Sequence, residues 1–87
     1  MYALILKSDE NNSRYWICYQ LSYSLTEIKN LQCFTPERIS LPKSDYSAQL
    51  IEELVSIKSC RTGNVSRFAI YSIEEPINLS SKFKFNQ

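Results

Sequence analysis

Histidine is absent from this chain. That removes the commonest general base, the commonest zinc ligand and every catalytic triad built on an imidazole. Glycine occurs once, so neither common type of glycine-rich phosphate loop can be assembled. The three cysteines, at 18, 33 and 60, form no CxxC pair and cannot all be joined within one monomer. A disulfide framework is therefore not expected, and a reducing cytosol fits best.

Excess charge is lacking as well. Ten Lys and Arg against nine Asp and Glu leave +1, far from the basic surplus of a protein held mainly by phosphate contacts. Long hydrophobic runs are missing too. The leading segment from Met1 to Lys7 is apolar only briefly and turns polar at Ser8 to Asn12, which reads as a strand and as neither a signal peptide nor a membrane span. Without a secretion signal, the glycosylation-like triplets at Asn11, Asn64 and Asn78 read as coincidences of composition. Repeats, linkers and low-complexity tracts do not occur.

What is present suffices for one folded domain, residues 1–87. Hydrophobic residues make up 44% of the chain and aromatics 13%, enough apolar surface to offset the conformational entropy of a short chain.

Residues 2–7 carry apolar groups on both alternating faces, as a strand inside a sheet does. The clearest period of two begins at Tyr15, where Tyr15, Ile17, Tyr19, Leu21, Tyr23 and Leu25 alternate with Trp16, Cys18, Gln20, Ser22, Ser24 and Thr26. It predicts one long strand over 15–26, paired with the first as an antiparallel hairpin. Ser24 and Glu27 also fit a capping box with Leu25, Ile28 and Leu31 at helical spacing. The preferred reading is nevertheless a turn near Lys29 and a third strand over 31–34.

Residues 35–43 read as a connecting loop, because Pro42 follows too soon after Thr35 and Pro36 for a helix. Helical spacing of Tyr46, Leu50, Ile51, Leu54 and Val55 behind Ser44 predicts the one helix, over 45–59. Arg61 to Asn64 make a turn using the only glycine, and 67–73 form another two-faced, central strand. Alternating Lys82, Phe83, Lys84 and Phe85 suit a short edge strand. The expected fold is α+β: a mainly antiparallel sheet of four or five strands in the order β-β-β-α-β, the fifth strand being short and C-terminal, with one helix packed on one face.

One helix covers only one face of such a sheet, so the other face is expected to be open. Of the candidate contact rings Tyr15, Trp16, Tyr19 and Tyr23, either Trp16 or the outer Tyr residues would lie on it, where they could anchor a protein interface or stack on unpaired bases; packing inside the core is the plainer role for most such rings. Lys58, Arg61 and Arg67 form the densest basic group and could receive an acidic surface or a phosphate, although cations past a helix end need no further reason. Cys18 and Cys33 read as small core residues. Glu52, Glu53, Glu74 and Glu75 read as solvated charges.

The composition points to a non-catalytic protein-binding module without cofactor or metal. Its concrete form would be an inhibitor that blocks a larger enzyme or effector complex, such as a nuclease or nucleoprotein effector, of the phage or mobile-element anti-defence type (an anti-CRISPR) or an immunity factor. The alternatives are a single-stranded nucleic-acid binder that uses aromatic stacking and, more remotely, a small His-free ribonuclease. A cytoplasmic monomer or homodimer with no membrane partner is expected.

Overall fold

The computed structural model describes residues 1–74. Six strands and one short helix are arranged as β1 (Tyr2–Leu6), β2 (Tyr15–Ser22), α1 (Leu25–Lys29), β3 (Cys33–Phe34), β4 (Ile39–Pro42), β5 (Ser47–Ser59) and β6 (Val65–Glu74). They form one mixed sheet in the order β3-β5-β6-β1-β2-β4. Every neighbouring pair is antiparallel except β3 with β5.

The two strands read as two-faced, β1 and β6, lie at the centre and pair with each other from Tyr2 opposite Ser72 to Leu6 opposite Phe68. Their residues are buried on both sides: Ala3, Leu4, Ile5, Phe68, Ala69 and Ile70 are fully inaccessible. One face gathers Ala3, Ile5, Cys18, Leu41, Tyr46 and Ile73, with Trp16 and Tyr71 packed against them. The opposite face gathers Leu4, Ile28, Phe34, Ile57, Phe68 and Ile70, with Tyr19 beside them. Because Leu25 and Ile28 of α1 belong to the second group, α1 sits on that face. Among the described residues no α-helix packs on the first, which is flanked only by the short 3₁₀ turns Lys7–Asp9 and Lys43–Asp45.

Several expectations are corrected. The sheet has six strands, not four or five, and it is mixed. Residues 45–59 hold no helix; they contain the longest strand, β5, paired with β6 from Ser47 opposite Glu74 to Lys58 opposite Val65. Two register shifts, between Leu50 and Glu52 and between Glu52 and Val55, break the period of two. The apolar residues around these bulges therefore fall by accident at helical spacing. A central β6 also needs a partner on each edge: β1 supplies one and β5 the other.

β2 ends at Ser22 and Ser24 is the N-cap of α1, but the reciprocal half of the expected capping box is replaced by the Ser22 hydroxyl, to which the Ser24 N–H donates at 3.0 Å. The Ser24 hydroxyl accepts from the Glu27 N–H at 3.3 Å, the Glu27 carboxylate accepts from the Ser22 hydroxyl at 2.7 Å, and α1 turns Ile28 into the core. The strand expected over 31–34 shrinks to Cys33–Phe34 and runs parallel to β5. The loop expected over 35–43 contains β4, an edge strand on β2, where Pro42 at the strand end is tolerated. The turn after β5 is as expected, with Gly63 at φ +77°. The strand expected at Lys82 to Phe85 lies outside the described residues.

The expectation about cysteine is also corrected: Cys33 and Cys60 are joined, with an S–S distance of 2.03 Å and a Cα–Cα distance of 5.0 Å. The parallel pairing of β3 beside the end of β5 brings together two residues 27 apart in sequence. A helix over 45–59 hid that proximity. Cys18 is the small core residue expected, its thiol pushed up to about 12 by burial.

Candidate interaction surface

The geometry of β2 decides where its aromatic residues point. Opposite Leu4 and Ile5 the partner jumps from Gln20 to Cys18, leaving Tyr19 as an extra residue. This bulge breaks the strict alternation read from the sequence, and Leu21 joins Cys18 and Trp16 while Tyr19 turns to the helix-covered side. There its ring meets Phe34 and Phe68 edge-on at 5.7 and 5.6 Å. Its hydroxyl donates to the Asp9 carboxylate at 2.7 Å. Burial, helped by that bond, raises the Tyr19 pKa. Tyr19 thus lies partly buried against the helix-covered cluster, and not beside Trp16.

Trp16 lies on the helix-free face, half-buried, with Tyr71 of β6 at 4.7 Å between ring centroids. The two rings meet above β1, the strand that separates β2 from β6. The Lys43 ammonium stands 4.4 Å from the Trp16 ring centroid and also donates to the Asn12 carbonyl. Tyr71 donates to the Glu10 carboxylate at 3.0 Å, and Glu10 pairs with Lys7 at 2.6 Å. Lys7 in turn reaches Glu53 of β5 at 3.6 Å. The Lys7 hydrogen bond holds the Glu10 carboxyl below the usual carboxylate range, while burial and the bond to Glu10 raise Tyr71.

Leu50 lies directly opposite Tyr71 on this face. Leu50, Ile51 and Leu54 are 43, 42 and 57% exposed, so the bulged part of β5 turns apolar groups outward. Leu54 has φ +59°, the one non-glycine residue with left-handed backbone among those described. A bulky side chain there signals strain that the surroundings must hold in place. Ion pairs of Glu52 with Lys29 at 3.4 Å and of Glu53 with Lys7 at 3.6 Å flank the bulge on either side. Among the described residues only β3 pairs with the outer edge of β5, at Lys58 and Ser59.

The expected basic group is split between strand and turn. Lys58 opposes Val65, and Arg67 opposes Ser56, so by alternation both cations share the face of Tyr71 and are diagonal neighbours. Arg61 lies in the turn, 3.8 Å from Glu37, with both side chains at least 70% exposed. Tyr15 and Tyr23 are exposed at the two ends of the β2 segment; Tyr15 lines an open depression of about 350 Å³ with Arg14 and Lys43. The structure therefore joins Trp16 to Tyr71 and Lys43, joins Lys58 to Arg67, and separates Tyr19 from both.

Sequence reasoning missed Tyr71, Lys43 and the Leu50 to Leu54 protrusion. The first two become neighbours of Trp16 only through long-range pairing. Among the described residues no three His, Cys, Asp or Glu side chains gather as a metal site would, and no helix is long and apolar enough to cross a membrane. No protein-family model, curated protein or solved structure matches the chain.

Proposed function

We propose that this chain is a non-catalytic protein-binding module that docks through the helix-free face of its sheet and the adjoining bulge of β5. An inhibitor that covers a larger enzyme or effector complex, of the anti-defence or immunity type, is its most concrete form. The observation that carries this reading is the apolar protrusion of Leu50, Ile51 and Leu54, held outward on strained backbone beside the half-buried Trp16 and Tyr71. Exposed apolar patches next to aromatic anchors are the usual material of protein interfaces.

Single-strand nucleic-acid binding is less well supported. Tyr19 packs edge-on against Phe34 and Phe68, and the Trp16 and Tyr71 rings pack on each other at a 45° tilt, so fewer rings are left as stacking platforms of the kind such binders use. The Cys33–Cys60 bond weighs toward an oxidising compartment, since disulfides are rare in the cytosol. A cytoplasmic role would have to work with the pair reduced.

The test is site-specific photocrosslinking with benzoylphenylalanine at position 50, against a control at Asn12, in an extract of the source cells. A discrete protein adduct from position 50 alone is expected. Adducts to nucleic acid, or equal labelling from both positions, would refute the reading.

A further inference from the structure

We infer that the far end of the β5–β6 hairpin is a docking point for an acidic segment of a partner protein, an inference that rests on the protein-binding reading above. Between Ser56 and Arg67 the chain carries Lys58, Arg61 and Arg67 and no acidic residue. Register places Val65, 67% exposed, directly across from Lys58 and two residues from Arg67 on the same face. An apolar spot between two cations, with a third in the adjoining turn, fits a peptide that alternates carboxylates with apolar side chains. Glu37 is the one acidic group paired with these cations among the described residues. At 3.8 Å between largely exposed side chains it is a weak, screened competitor.

The tip is also preorganised. The Ser59 hydroxyl accepts from the Arg61 and Thr62 N–H groups at 3.1 and 3.3 Å, the Gly63 N–H donates to the Ser59 carbonyl at 2.9 Å, and the Cys60 bond to Cys33 ties the turn to β3. A turn fixed in this way loses little entropy on binding. Nucleic acid is the poorer occupant: three cations on a chain of net charge +1 give no extended basic track, and Glu53 occupies the same strand. Charge complementarity at an otherwise neutral protein selects partners and speeds their encounter.

The experiment titrates the oxidised, ¹⁵N-labelled protein with a twelve-residue peptide alternating Glu and Leu, and separately with a twelve-nucleotide oligothymidylate, at low salt. Saturable amide shifts confined to residues 58–67 are expected with the peptide. They should weaken about tenfold in Arg61→Glu combined with Arg67→Glu, each reversal replacing an attraction by a repulsion. Arg61→Glu alone lies in the turn outside the strands and provides a second reading, while unchanged β1 and β6 amides check the fold. Peptide shifts that avoid the hairpin, survive the substitutions, or are exceeded there by the oligonucleotide would overturn the inference. If the peptide result is negative while the adduct at position 50 persists, the docking point alone is wrong; loss of that adduct strikes the broader reading.

Discussion

Removing the Cys33–Cys60 bond by Cys33→Ser with Cys60→Ser should lower stability substantially. The bond closes a loop of 27 residues, and chain-entropy arithmetic gives about 12 cal/mol/K, or ~3.5 kcal/mol at 25 °C. Against a total stability on the order of 5 to 10 kcal/mol, that is a large share. The fall in melting temperature should be about 15 °C or more for a domain of this size. Native packing softens the loss without abolishing it: Phe34, beside Cys33, contacts the Phe68 ring at 4.7 Å between centroids and keeps β3 in place. Urea and thermal unfolding can be followed by Trp16, the only tryptophan, which sits on the opposite face and reports global unfolding. Alkylation gives an independent count. One thiol should react after denaturation without reductant and three after reduction, because Cys18 is buried and free. Three reactive thiols without reductant, or a double variant within ~0.5 kcal/mol of the parent by the same unfolding assay, would refute the reasoning.

Two further outcomes follow from the site. Leu54→Gly should be neutral to stabilising, by about 1 kcal/mol, because glycine accepts φ +59° without the penalty a branched side chain incurs; chemical denaturation decides it, and marked destabilisation would show that Leu54 packs more than it strains. Glu10 is held below its ordinary pKa by Lys7, so its contribution is complete above the unfolded carboxylate value of about 4.3 and is lost as pH falls through the lower folded one. Glu10→Gln should flatten that part of the acid unfolding profile and leave its slope at neutral pH unchanged.

The strands that could be read from sequence are those whose residues are constrained on both sides. In β1 and β6 no register exposes a polar row, so apolar residues on both faces identify a central strand wherever it pairs. Tyr15 to Ser22 alternate well enough to be read as extended, but nothing local announces that Tyr19 is the bulged residue, since a bulge answers to the partner strand. β5 was illegible for the opposite reason. As an outer strand it buries little besides Ile57 and Ser59, and its two bulges leave Leu50, Ile51 and Leu54 in a pattern that local propensity interprets as a helix face. Tertiary pairing with β6 overrides that propensity. The site inherits the same division. Trp16 on an open face, and Lys58 with Arg67, could be proposed from the chain alone, whereas Tyr71 and Lys43 become neighbours of Trp16 only through pairings that span the molecule.

The position of β1 governs how the molecule can be made. β1 is clamped between β2, which follows it at once, and β6, more than forty residues further along, with the Met1 carbonyl accepting from the Ile73 N–H at 2.7 Å. Until β6 has been synthesised, β1 keeps one naked apolar border, the kind of edge on which nascent or truncated chains stick to one another. A truncation that removes β6 should therefore yield insoluble material, and an affinity handle fused directly before Met1 would crowd the seam between β1 and β6.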